Sequence, residues 1–235
     1  MKRTCLMALL AATMTLGLGG CASLYPAHYY QLDSGTASVP KTRAGTAVQI
    51  RSLNIANYLQ HDTLLQRHPD GSLSDSKARW AGSLTDDMEH VLLRQMAWRL
   101  NSNRVVIGDA PEGYKPEIMV ELEISRLDSG PKQSAILDAR WHLLDSNEKL
   151  RGSRMVHLEE NHNGTEADQV RAQSLLLQQL AKQLSGAVTA AEQASRKAAK
   201  SSSRQSRTQV AQEVEAPAKL PKIIPIRTGA EVYRF

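Results

Sequence analysis

Two cysteines, Cys5 and Cys21, are all that the 235 residues hold. If the first leaves with a leader, a single thiol remains. That rules out an internal disulfide, a cysteine-built metal site and a dithiol redox centre. Rings are scarce as well. One Phe, three Trp and six Tyr are too few for a platform that stacks nucleic-acid bases. The longest apolar stretch, residues 5–16, is shorter than the roughly 20 residues a membrane-spanning helix needs. No Gly-Xaa-Ser-Xaa-Gly elbow, phosphate loop or His-Glu-Xaa-Xaa-His pair occurs. With no nucleophile–base set, the chain is expected to be no enzyme and to carry no cofactor. The formal net charge is +5, but Lys2 and Arg3 fall in the leader. Arg196, Lys197, Lys200, Arg204 and Arg207 fall in a Ser/Ala/Gln-rich stretch without an acid. A basic tail without interleaved aromatics is not a nucleic-acid face, so nucleic acid is not an expected partner.

What is present begins at the N-terminus. Lys2 and Arg3 precede the apolar stretch, and Leu18-Gly19-Gly20-Cys21 follows it. A charged start, roughly 7–15 apolar residues and small residues before the cut describe a secretory signal. The small side chains let extended backbone enter a narrow peptidase cleft. The four-residue pattern resembles the bacterial lipobox. That implies cleavage between Gly20 and Cys21, a diacylglycerol thioether on the Cys21 thiol, and N-acylation of the new terminus. One acyl chain binds a membrane marginally, and two or more hold it firmly. In such lipoproteins an Asp after the cysteine retains the protein at the inner membrane. Ala22 therefore implies the cell outer membrane, with the protein lipid-anchored and facing the periplasm.

Hydropathy periods set the expected elements. Residues 28–32 read as a first strand, and Val48, Ile50, Leu53 and Ile55 as a second whose alternation slips near Ser52. Pro69-Asp70-Gly71 between two short runs predicts a hairpin. Ser83 caps a helix to about Asn101, with Leu84, Met88, Val91, Leu92 and Gln95 on one face. A strand follows over residues 104–107. Ile118, Val120, Leu122 and Ile124 alternate with Glu117, Met119, Glu121 and Glu123, which predicts a strand with one wet face. Asp128-Ser129-Gly130-Pro131 reads as a turn. Two more strands follow, residues 135–143 and 150–158, and together the three form an antiparallel meander. Thr165 caps a last helix, with Leu177, Leu180, Leu184 and Val188 buried, to about Ala194. The expected class is α/β (α+β), a mainly antiparallel sheet packed by two long helices. The expected division is a signal at 1–20, one domain at 21–194, and a basic, disordered linker with an apolar end at 195–235.

Several short motifs, taken in order, carry a resemblance. They are Tyr29-Tyr30-Gln31-Leu32, Ile55-Ala56-Asn57-Tyr58-Leu59-Gln60, the hairpin at Asp70-Gly71, Arg79-Trp80-Ala81, and Ala139-Arg140-Trp141-His142-Leu143-Leu144-Asp145. Over residues 21–194 the chain resembles the ABC-type transport auxiliary lipoproteins, the PqiC-like family of membrane integrity-associated transporter subunits. The resemblance implies an antiparallel sheet covered by helices. It also implies an accessory outer-membrane lipoprotein that works with an MCE-type periplasm-spanning protein in lipid movement between the membranes. It allows a homo-oligomer. The stretch from Ser195 onward exceeds the family's compact form and takes no role from it. The basic tail supports an alternative, a structural lipoprotein linking outer membrane to cell wall.

The candidate partner-binding residues are Arg79, Trp80, Tyr233 and Phe235. Arg and Trp concentrate at interfaces, although a packed core position suits Trp80 better than an interface. Tyr233 and Phe235 belong to an apolar segment, residues 223–235, that either docks elsewhere or packs back as a strand. Glu117, Glu121 and Glu123 share one strand face and read as a wet or partner-facing side. His157 and His162 fit neither helical nor strand spacing for a shared metal, and no metal site is expected.

Overall fold

Two sequence periods build the molecule. Alternation at every second residue makes strands with one buried face, and apolar spacing of three and four makes helices that lie on that face. The computed structural model describes residues 28–40 and 45–215, with side chains to residue 201. Its strands are β1 (His28–Tyr30), β2 (Val48–Ile55), β3 (Thr63–Arg67), β4 (Leu73–Trp80), β5 (Val105–Ile107), β6 (Ile118–Gly130), β7 (Gln133–Asp145) and β8 (Leu150–Glu160). Helix α1 is Leu84–Arg99 and α2 is Glu166–Glu215, and a short 3-10 turn covers Asn57–Gln60. Among the described residues no helix is long and apolar enough to cross a membrane.

The 13-residue β6 organises the sheet. Along one edge its first half takes β2 in parallel and its end takes β3, at Gln66 opposite Ser129. Along the other edge it takes β7 antiparallel, and β7 takes β8. Beyond β2 lies β5, in parallel. Beyond β3 lie β4, antiparallel to it, and then β1, parallel to β4. The α+β class and the β6–β7–β8 meander are as expected, and the register slip in β2 falls between Ile50 and Ser52. The β1–β4, β2–β5, β2–β6 and β3–β6 pairs make the sheet mixed.

One face of the sheet is dry. Ile118, Val120, Leu122 and Ile124 of β6 and Leu137, Ala139, Trp141 and Leu143 of β7 join one core cluster. α1 adds Leu84, Met88, Val91, Leu92 and Met96, and α2 adds Val170, Leu176, Leu177, Leu180, Leu184 and Val188. The helices begin where expected. Ser83 Oγ accepts from the Asp86 N–H at 3.3 Å, and Thr165 Oγ1 from the Asp168 N–H at 3.1 Å. Gly71, at φ +88°, closes the β3–β4 hairpin.

Two boundaries differ from expectation. The stretch Asp128-Ser129-Gly130 belongs to β6 and is buried, not a turn; only Pro131 and Lys132 separate β6 from β7. Tertiary partners from β3 and α2 hold those turn-prone residues in the sheet. The helix expected to end near Ala194 runs on to Glu215. Residues 195–215 contain no Gly or Pro and many Ala, Arg, Lys and Gln, a composition that favours helix. The compact unit that carries the sheet ends at Ala191, and Glu192 opens a second unit. Within that unit Arg196 pairs with Glu192 one helical turn before it, and Arg196, Lys197 and Lys200 are exposed.

Candidate partner interface

The second face of β2, β6, β7 and β8 points away from the core. Pairing register fixes its rows: Glu121 lies opposite His142, Glu123 opposite Arg140, Arg140 opposite Met155, and Asp138 opposite His157. Each glutamate of the expected wet face meets an arginine from a different segment. Glu117 meets Arg104 at 3.4 Å, Glu121 meets Arg51 at 3.7 Å, and Glu123 meets Arg140 at 2.6 Å. Arg51 also reaches Glu148 at 3.0 Å. His157 Nδ1 lies 2.5 Å from Asp138 Oδ1. Such half-exposed pairs contribute roughly 0.2–1 kcal/mol each, so they order the face more than they stabilise the fold. Among them sits Met155, 82% exposed. It lines a shallow hollow of about 470 Å³ with Glu123, Ser125, Asp138, Arg140 and His157. A face with both charge signs in fixed rows and an apolar centre is suited to recognising a protein surface, because complementary charge sets orientation and partner choice.

The other expected sites are placed as follows. Trp80 is 6% exposed and packs in the core, while Arg79 is exposed next to it on β4. Register sets Arg79 opposite Tyr29 of β1, and Tyr29 is itself exposed. The pair Arg79–Trp80 is therefore split between surface and core. His157 and His162 are not brought together with further ligands, and no cluster of three His, Cys, Asp or Glu occurs among the described residues. Gly20, Cys21, Tyr233 and Phe235 lie outside the described residues, and so do the side chains of Arg204 and Arg207.

The residues that sequence reasoning missed surround Asp128, which is 1% exposed. Arg67 Nε and Nη2 donate to its two carboxylate oxygens at 2.9 and 2.6 Å. Arg126 Nε donates at 3.0 Å and the Tyr58 hydroxyl at 2.9 Å. Tyr58 also accepts from the Leu127 N–H at 3.2 Å. Burial works to raise the Asp128 pKa, yet the bonds from Arg67, Tyr58 and Arg126 hold it below the ordinary carboxylate range. Burial and the adjacent Asp128 carboxylate push the Tyr58 pKa up to about 12. Alongside, Gln173 Nε2 donates to Ser129 Oγ at 3.0 Å, and Ser129 Oγ donates to Gln169 at 3.2 Å. A void beside this cluster, lined by Tyr58, Trp80, Asp128 and Gln173 among others, measures about 10 Å³, room for about one water. The cluster is a structural clasp that joins β3, β6 and the 3-10 turn, with Ser129 tying β6 to α2. A sequence signal existed in Arg126-Leu127-Asp128, an acid and a base two residues apart on a strand, but turn-prone Ser-Gly-Pro masked it.

A surface groove of about 550 Å³ runs along α1, lined by Leu32, Val39, Pro40, Val91, Leu93 and Ala97, with His90 and Arg94 among its polar residues. Residues 33–40 are strapped beside it. Gln95 Nε2 donates to the Ser34 carbonyl at 2.7 Å, and Arg94 Nε to the Ala37 carbonyl at 2.9 Å.

Comparisons with known proteins agree with this architecture. A crystal structure of an uncharacterized protein shares 14% identity at a TM-score of 0.58, covering 70% of this chain and 99% of its own. A Xanthomonas campestris protein of the DUF330 family shares 18% identity at a TM-score of 0.58, covering 73% of this chain and 99% of its own. At those identities the likeness concerns the fold alone. No curated protein matches the chain. The model of one family matches residues 30–185, from the last residue of β1 into α2, and that match spans β2 to β8, α1 and the clasp. The chain belongs to the family described as the ABC-type transport auxiliary lipoprotein component.

Proposed function

We propose that the chain is an accessory lipoprotein of an MCE/Pqi-type intermembrane lipid transport system. Cys21 anchors it in the outer membrane, on the periplasmic side, after cleavage at Gly20. The observation that carries this reading is the charge-ordered face of β2, β6, β7 and β8, which no described element covers, taken with membership of a transport-auxiliary lipoprotein family. Its role is docking, not catalysis: in the hollow around Met155 the Ser125 hydroxyl donates to the Asp138 carbonyl at 3.2 Å, and His157 pairs with the Asp138 carboxylate rather than with Ser125. Arg79, exposed beside Tyr29, is a second contact point, whereas Trp80 serves by packing beneath it. Tyr233 and Phe235 end the apolar segment of a tail that supplies a further contact. Residues 1–20 are the signal, 21–194 the working domain and 195–235 the tail.

The test is a crosslinking pulldown from native membranes. It uses the full chain, a version ending after Ala194, and Glu123→Arg. An MCE protein is expected with the full chain and the shortened one, and to be lost with Glu123→Arg, whose circular dichroism should match the parent. Recovery by the full chain alone assigns docking to the tail. Recovery of cell wall in place of the transporter replaces this reading with a structural link between outer membrane and wall.

A further inference from the structure

Residues 161–165, Asn-His-Asn-Gly-Thr, join β8 to α2 outside any helix or strand. They hold the chain's one Asn-Gly step, Asn163-Gly164. Asn163 is exposed, and its side-chain amide makes no hydrogen bond among the described residues. Glycine has no Cβ to screen its nitrogen from the side chain before it. The Gly164 N–H is not spent on a carbonyl. It donates to His162 Nδ1 at 3.0 Å. With Nδ1 accepting, the neutral ring carries its own proton on Nε2 and keeps Nδ1 as a base. Asn101-Ser102, the other step with a small residue after asparagine, is built differently. There the Ser102 N–H goes to the Ala97 carbonyl at 3.0 Å.

We infer that Asn163 is a site of intramolecular deamidation, with His162 as the base. The Gly164 nitrogen gives its proton to His162 Nδ1 and attacks Asn163 Cγ. The new N–Cγ bond closes a succinimide ring. The Cγ–Nδ2 bond breaks, and Nδ2 leaves as ammonia with the proton that His162 returns. Water then opens the ring at either carbonyl and yields Asp or isoAsp at 163. No other reactant is needed. Base and nitrogen are held in contact before the reaction, and such positioning is what speeds an intramolecular step. The product sets a carboxylate in the hollow that Asp168 and Arg171 share with His162. The isoAsp form also adds a main-chain carbon before Gly164, where space is short: a Cβ on Gly164 would lie 2.4 Å from the Pro131 carbonyl oxygen. Gly164 accepts from Gln169 Nε2 through its own carbonyl at 2.9 Å, so the change is felt at the start of α2.

The test incubates the full chain in detergent at neutral pH. Its tryptic peptide of residues 155–171 is followed by mass spectrometry with separation of the Asp and isoAsp forms. Conversion at 163 is expected, and faster in the folded chain than in the same chain held in urea, where the histidine has no fixed place. His162→Asn keeps an acceptor where Nδ1 stands but not its basicity. Measured against its own rate in urea, that variant should convert about 100-fold more slowly when folded, the low end of what a positioned base supplies. Its circular dichroism should match the parent. Slower conversion of the parent when folded than in urea would overturn the inference. So would an unchanged or raised rate in folded His162→Asn.

Discussion

At the residue scale the molecule turns on Asp128. A carboxylate that is 1% exposed would be costly alone, and four hydrogen bonds from Arg67, Arg126 and Tyr58 offset that cost. Asp128→Asn keeps the shape but removes the charge that two arginines face. Because both arginines are partly exposed, the loss should be about 3 kcal/mol, the lower end for a broken buried pair. It would be read as a lower urea midpoint with unchanged slope. The pH dependence has a definite sign. A carboxyl held below its unfolded value contributes stability that is complete above the unfolded pKa of about 3.9 and is lost as pH falls through the lower folded value. The parent should therefore lose stability more steeply than Asp128→Asn on titration below about pH 4. Tyr58→Phe removes one donor to Asp128 and the acceptor for the Leu127 N–H, at about 1–2 kcal/mol. The Tyr58 hydroxyl, with its pKa at about 12, stays protonated and donating across any ordinary pH range.

At the element scale the close approach of β3 to β6 depends on Gly130. A Cβ there would lie 2.0 Å from the Arg67 carbonyl oxygen, which is backbone and cannot swing away. Gly130→Ala should separate the two strands and cost more than about 3 kcal/mol, the upper range for overpacking. Loss of a single cooperative thermal transition would record it. Ser83→Ala, by contrast, removes only a cap bond and should cost about 1 kcal/mol. The sequence made the meander legible because Ile118, Val120, Leu122 and Ile124 alternate cleanly, and it made α1 legible because Ser83 and the Leu84–Met88–Val91 spacing agree. It could not show the parallel pairs: alternation tells which face of β2 is buried, not which strand lies along its edge. Asp128 was hidden because Asp-Ser-Gly-Pro has turn composition, and only partners distant in sequence, Arg67 and Gln173, hold it in a strand. The wet face of Glu117, Glu121 and Glu123 was legible as a face. Its arginine partners Arg104, Arg51 and Arg140 were not, since register decides them.

At the scale of the whole molecule, anchor and domain divide the work. Among the described residues the last core residue of α2 is Ala191, so ending the chain after Ala194 removes none of the described core side chains. The melting temperature of that version should lie within the change expected of a surface alteration, about 0.5 kcal/mol. The anchor acts differently, through concentration. Six residues separate Cys21 from β1, and six extended residues span at most roughly 20 Å. A lipid on Cys21, as proposed, would hold the domain within a thin shell at the membrane that carries it, which would raise its effective concentration for a partner reaching that membrane. A version exported on an ordinary cleavable signal and beginning at Ala22 should appear in the soluble fraction with an unchanged melting temperature. At native expression it should lose the transporter in a pulldown. Raising its expression should restore the complex, because mass action replaces what the tether supplied. If raised expression fails to restore it, the lipid itself is part of the contact, and the docking surface extends to the membrane side of the molecule.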